Sequence, residues 1–263
     1  MPTICVCVEP FFGKASLAEK ARKIAQTGFR AIEFWSPVGG PERDIDELAV
    51  ACKETGLIVN DFGVNLSGAV LVSAADRAQY LSGLKGTIPI AKKLGCSKLI
   101  TTTGNRLHDK SDDEQHQAIV GTLKAAAKIA ESEGVTLLLE PLNSLVDHRG
   151  YYLESGHEGA QIIEEVNSPA VRLLWDIYHM QIMHGNVLAY VEEYLPLIGH
   201  FHSAGVPGRH ELNVGELDYV NILRAIKGWG YQGGFGLEYW PVGDDDMASL
   251  METRKLTASA AWD

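Results

Sequence analysis

The chain has no run of apolar residues near the roughly 18–20 that a membrane-crossing helix requires. It has no excess of positive charge either: 34 acidic side chains against 23 Lys and Arg give a formal net charge of −11. Phosphate contacts need clustered cations, so a nucleic-acid partner is disfavoured, and no membrane partner is expected. Cysteine is scarce. Cys5, Cys7, Cys52 and Cys96 contain no C-x-x-C pair, which argues against a thiolate metal site or a dithiol redox site. Cys5 and Cys7 lie too close along a strand to bridge comfortably. They suit small buried residues of a reduced, cytoplasmic protein. The opening "MPTICVCVEPFFGK" has no basic start and carries Glu9 early, so no signal peptide is expected. No G-x-G-x-x-G loop follows a β-like run and opens a helical pattern, and a low-complexity tract and an evident linker are absent from the sequence.

What is present is an alternation. Eight short β-like runs fall at 3–9, 31–35, 58–64, 97–103, 135–141, 171–177, 199–204 and 235–240. Helical patterns follow them at 16–28, 44–56, 74–95, 111–134, 157–166, 186–195, 217–228 and 246–258. Ser16 with Glu19 and Ser111 with Glu114 have capping-box spacing, and glycines follow several helices. Eight βα units in 263 residues predict an α/β fold, a single (β/α)8 TIM barrel over 1–263. An open doubly wound sheet is the runner-up, but it would be expected to show a nucleotide loop at its switch point.

The active site of such a barrel lies at the C-terminal ends of its strands. "TLLLEPLNS" (136–144) runs from apolar residues straight into Glu140. The next three strand ends offer Asp176, His202 and Glu238, each about one βα unit further on. A single acidic residue at a strand end is ordinarily a helix cap or a rim residue. Four such residues on successive strands point to convergence. Three carboxylates packed together would repel one another, and a divalent cation removes that repulsion. One nitrogen with several carboxylate oxygens suits Mn²⁺, Mg²⁺ or Co²⁺, with Zn²⁺ also compatible. Residues two apart share a strand face, so Gly236 leaves room beside Glu238. His200 is expected to point outward, between strand and helix.

Four segments carry a resemblance: "LLLEPLNSLVDHRGYYL" (137–153), "LLWDIYHMQIMHGNV" (173–187), "GHFHSAGVPGRHELNVGELDY" (199–219) and "GYQGGFGLEYWP" (230–241). Their E-P-L-N, D-x-Y-H-M, P-x-R-H-E and G-L-E-Y elements, in this order, resemble the hydroxypyruvate isomerase family. That family belongs to the xylose-isomerase-like TIM barrels, which also include ketose 3-epimerases and endonuclease IV. The resemblance implies one divalent metal ion held by Glu140, Asp176, His202 and Glu238. It implies catalytic proton transfer by Glu140 and Glu238, and substrate contacts from His179 and Arg209. Some positions depart from the pattern. Histidine at position 202 resembles the epimerases, where hydroxypyruvate isomerases usually carry glutamine, yet Val146 replaces an epimerase glutamate. The loop 65–77 lacks a Gly-Glu-Arg-Gly sequence, and His184 occupies a usually acidic position.

The expected reaction moves a proton between neighbouring carbons of a small hydroxy-keto acid or sugar, through an enediolate. Hydroxypyruvate or tartronate semialdehyde is the type of substrate implied. A ketose 3-epimerase, or a dehydratase or decarboxylase using the same metal site, is the alternative. A zinc nuclease would need more strand-end histidines and a basic face. A non-catalytic metabolite-binding barrel would not need both glutamates. Asn143 is expected to support the site. Trp35 and Phe12 suit pocket walls, and the run Asp244–Asp246 suits a helix start. "YYL" (151–153) and the strand-end loops, taken as exposed, would suit a homo-oligomer contact.

Overall fold

Ser16 and Ser111 each accept the backbone N–H of the glutamate three residues on, and that glutamate accepts the serine N–H in return. These reciprocal bonds satisfy helix-end donors that would otherwise lack partners. Gly56, Gly95 and Gly134 close three further helix ends in the left-handed conformation that residues with a Cβ adopt only at a cost. The computed structural model describes residues 2–66 and 68–262. Its strands are β1 (Thr3–Cys7), β2 (Ala31–Phe34), β3 (Ile58–Gly63), β4 (Lys98–Thr101), β5 (Thr136–Leu139), β6 (Val171–Asp176), β7 (Ile198–Ser203) and β8 (Gly234–Leu237). The helices are α1 (Leu17–Gln26), α2 (Ile45–Thr55), α3 (Arg77–Leu94), α4 (Asp112–Glu133), α5 (Gly156–Val166), α6 (Ile177–Met183), α7 (Val187–Tyr194), α8 (Tyr219–Gly228) and α9 (Asp246–Ser259). Each strand pairs in parallel with the next, and β1 pairs with β8, so the sheet closes into a barrel. The expected (β/α)8 architecture is present. Among the described residues, no helix is long and apolar enough to cross a membrane.

Most of the core lies between the sheet and the helix ring, and Val6, Ile32, Leu137, Leu173, Phe201 and Phe235 are among its buried members. Each fully buried side chain of this kind contributes roughly 1.5–3 kcal/mol of hydrophobic stabilisation. The barrel interior is divided. Ile100, Leu138 and Leu174, on β4 to β6, form a small apolar cluster of their own. Across from it, Glu33, Asp61, His200 and His202 are almost completely buried. His200 touches Glu33 and Asp61. Because β7 borders neither β2 nor β3, those contacts pass through the lumen.

Three expectations need correction. His200 points into the barrel, because it shares the inner face with His202, two residues away. Tyr151, Tyr152 and Leu153 are buried, not exposed. The Tyr151 hydroxyl donates to the Glu140 carbonyl and accepts the Thr103 N–H, which locks the loop after β5 onto the barrel top. This segment therefore offers no surface for a partner subunit. Finally, the stretch between the β-like run at 171–177 and the helical pattern at 186–195, left without a helix in the sequence pattern, holds α6, which begins directly after Asp176.

Candidate active site

Strand register sets the height of each functional side chain. Asp176 pairs with His202, and His202 pairs with Gly236. Glu140 and Glu238 each stand one residue beyond the end of their strands, β5 and β8. The structure brings the four predicted residues together: one ligand atom from each of Glu140, Asp176, His202 and Glu238 lies within 4.8 Å of the others, and all four residues are buried. His202 Nδ1 is 3.4 Å from Glu140 Oε1 and 3.2 Å from Glu238 Oε2. Neither ring nitrogen of His202 makes a well-formed hydrogen bond. A buried nitrogen without a partner, set between carboxylate oxygens, is what a ligand set for a cation presents. The donors are oxygens and one imidazole, with no thiolate, which fits a hard or borderline divalent ion.

Asp176 has two tasks. Its Oδ1 accepts the Tyr178 N–H and caps α6, at 2.8 Å. Its Oδ2 is left facing the quartet, 3.3 Å from His179 Nε2 and 3.7 Å from Arg209 Nη2. The cap and the ligand position are thus one geometric decision, and α6 carries His179 into the site. Asn143 fixes that histidine. Its Oδ1 accepts the N–H groups of Val146 and Asp147, so its amide nitrogen faces His179 Nδ1 at 2.6 Å. The Asn143 backbone N–H approaches the same nitrogen at 3.3 Å. With two donors on Nδ1, the ring proton sits on Nε2, pointing at the quartet.

Arg209, predicted as a substrate contact, lies in the site. Its Nη2 is 2.5 Å from Glu238 Oε2, and its guanidinium stacks between Tyr178 and Trp240, with centroid distances of 5.0 and 5.2 Å. Trp35 walls the pocket as expected and donates its indole N–H to Glu238 Oε1. Phe12 does not line the pocket; it packs beneath Lys23. His148 was not singled out by the sequence, yet it lines the pocket and stacks edge-on with His179. The cavity above the quartet measures about 310 Å³, with Val64, Leu66, Ile100 and Leu142 as apolar walls.

The charges interlock. Burial pushes the Asp176 carboxyl up to about 7, against the pull of Arg209. Burial acts upward on Glu238 too, but the Arg209 guanidinium and His202 hold its carboxyl well below the usual carboxylate range. For His202, burial acts downward and is overcome by the Glu33 and Glu238 carboxylates, which raise it well above its usual value. His179 is lowered by burial and by Arg209, so it stays neutral.

The xylose isomerase-like TIM barrel family model matches residues 21–259. The chain belongs to this family. Within it, the chain is 35% identical to a putative hydroxypyruvate isomerase of Drosophila melanogaster, covering 86% of each chain. It is 28% identical to the hydroxypyruvate isomerase of Escherichia coli, over 88% of this chain and 90% of that one. It is also 28% identical to a 2-oxo-tetronate isomerase of Cupriavidus necator, over 92% and 94%. Among solved structures, one titled AP endonuclease, family 2, from Brucella melitensis superposes with a TM-score of 0.89 at 26% identity, covering 97% of this chain and 99% of that one. An L-ribulose 3-epimerase superposes with a TM-score of 0.84 at 23% identity, over 99% and 94%, which shows a shared fold. The family's enzymes named here as relatives in sequence are isomerases.

Proposed function

We propose that the chain is an isomerase of a small hydroxy-keto acid, and that Glu140, Asp176, His202 and Glu238 hold one divalent cation. Mn²⁺, Mg²⁺ and Co²⁺ fit the donors best, and Zn²⁺ is compatible. The observation that carries this reading is the convergence of the four ligand atoms within 4.8 Å at the floor of the pocket. Three buried carboxylates so close together are stable only beside positive charge. The bound ion would supply Lewis-acid charge, which makes a carbon-bound proton beside a carbonyl acidic enough to move.

The chain's own residues do the rest. Glu140 and Glu238 reach His202 Nδ1 from two different strands, β5 and β8, so one carboxylate can take a proton from one carbon while the other returns a proton to the neighbouring carbon through an enediolate. Glu238 receives Trp35 and Arg209 hydrogen bonds, which hold it ionised and fix its angle. His179 presents its Nε2–H to a substrate oxygen. Arg209 offers a fork to a carboxylate end. A cavity of about 310 Å³ is at the small end for ligand sites, which favours a short hydroxy-keto acid such as hydroxypyruvate over a long sugar.

Two relatives named as isomerases of short keto acids support the substrate class. The test is a metal-replete screen with hydroxypyruvate, 2-oxo-tetronate and free ketoses side by side. Turnover of a keto acid with solvent deuterium entering the product supports the proposal. Complete retention of the substrate hydrogen overturns the proton-transfer route. A C3-epimer, or a dehydrated or decarboxylated product, would assign the site to the alternative reactions.

A further inference from the structure

Beneath the quartet, a chain of polar contacts crosses the barrel lumen, hydrogen-bonded from Lys98 to Glu33 and at ion-pair distance from Glu33 to His202. Lys98 Nζ lies 3.4 Å from Asn60 Oδ1. Asn60 Nδ2 lies 3.3 Å from His200 Nδ1. His200 Nε2 lies 2.9 Å from Glu33 Oε2. Glu33 Oε1 lies 3.2 Å from His202 Nε2. An ammonium can only donate, so Asn60 must present its oxygen to Lys98 and its amide N–H₂ to His200. The amide N–H₂ facing Nδ1 and the Glu33 carboxylate facing Nε2 favour the tautomer of His200 with its proton on Nε2. Glu33 presents one oxygen to each histidine, hydrogen-bonded to His200 and at ion-pair distance from His202. Asp61 stands beside it, 3.2 Å from His200 Nε2 and 2.5 Å from Asn60 Nδ2. Glycines on β8 make the space. A Cβ on Gly234 would lie 2.7 Å from Asn60 Nδ2, and one on Gly236 would lie 2.1 Å from Glu33 Oε1.

We propose that Glu33 is a positioning residue for the metal site, and that Lys98, Asn60 and His200 fix the direction of its hydrogen bonds. The proposal rests on the quartet holding a divalent ion. With the Nε2 edge of His202 facing Glu33 at ion-pair distance, Nδ1 is the nitrogen left to face Glu140 and Glu238. Carboxylates that accept the distal N–H of a ligating histidine orient the ring and raise its basicity, and their loss typically weakens metal binding about 10–100-fold. The rival occupant of the same space is a second cation, since Glu33, Asp61, His200 and His202 also offer ligand atoms within 4.8 Å of one another. That would require His202 to give up both ring protons. The relay needs no such step.

The experiment uses the full chain with Mn²⁺ as the titrant in calorimetry, and nitrogen-15 imidazole spectra of the metal-free and Mg²⁺-loaded protein. Glu33→Gln puts an amide N–H against one histidine and forces it to turn or change tautomer. Expected results are one Mn²⁺ per wild-type chain, about 10–100-fold weaker binding by Glu33→Gln, and His200 protonated on Nε2 in the metal-free wild type. Lys98→Met, at the half-buried lower end, keeps the test open if Glu33→Gln does not fold. It is expected to weaken Mn²⁺ binding a few-fold and to mix the His200 tautomers. Wild-type Mn²⁺ affinity in both variants, a second Mn²⁺ per chain, or His200 protonated on Nδ1 would each overturn the relay. No uptake of any divalent ion by the wild type would overturn the quartet reading as well, and so separates the two failures.

Discussion

Two clusters of the same chemistry sit one above the other in this barrel and share His202. The upper one, with Glu140, Asp176 and Glu238, opens onto a cavity and is approached by Arg209, Trp35 and His179. The lower one, with Glu33, Asp61 and His200, lies mid-strand and is sealed in the lumen. The residue types are nearly identical, so composition does not separate their roles. Position does. A carboxylate at a strand end can meet loops, solvent and a ligand. The same carboxylate two residues lower meets only the inner faces of other strands, where it can orient but not react.

The comparison would break most visibly at the upper level. Glu238→Gln or Glu140→Gln is expected to reduce kcat by about 10²–10⁴-fold while circular dichroism still reports a folded barrel. Steady-state kinetics would check this, and near-normal turnover in either variant would remove that glutamate from the chemistry. Dialysis against a chelator is the next largest effect. Activity should vanish and return with added Mn²⁺ or Co²⁺. Stability should also rise with the ion, by about 2.7 kcal/mol when its free concentration is 100 times its Kd, seen as a higher unfolding temperature. At the lower level, Gly236→Ala presses a Cβ against the Glu33 carboxylate and is expected to cost about 1–3 kcal/mol in urea unfolding. Equal stability would mean that Glu33 moves freely. The smallest effect is expected from Trp35→Phe, which removes one donor from Glu238. One neutral hydrogen bond to a charged group is worth about 1.5–3 kcal/mol. Part of that should appear as a several-fold fall in kcat/KM without loss of fold.

The upper cluster was legible in the sequence because its members end their strands, where an apolar run breaks on a charged residue. The eight strands were legible for a related reason: parallel strands buried on both faces appear as short apolar runs, and glycines and capping boxes punctuate them. The same rule marks a second set of charges. Glu33 in "AIEFW" and Asp61 in "IVNDFGV" are charges inside runs that must be buried. Each was therefore a candidate for a partner in the lumen. Period-two alternation sets His200 beside His202 on the inner face, against the outward orientation expected for it. The short helix α6 escaped notice because Asp176 serves as strand end and helix cap at once, leaving no loop residues to mark a boundary. The burial of Tyr151 to Leu153 depends on a loop folding back onto Glu140 and Thr103, a long-range contact with no local pattern.

The two glycines of β8 carry an unexpected lesson for redesign. A redesign that enlarges the interior with aliphatic residues and grafts new loops on top would meet them first. Here the vacant space at Gly234 and Gly236 is occupied by side chains from three other strands. Filling it would evict those side chains, and the disturbance would travel upward through a single imidazole ring to the grafted chemistry.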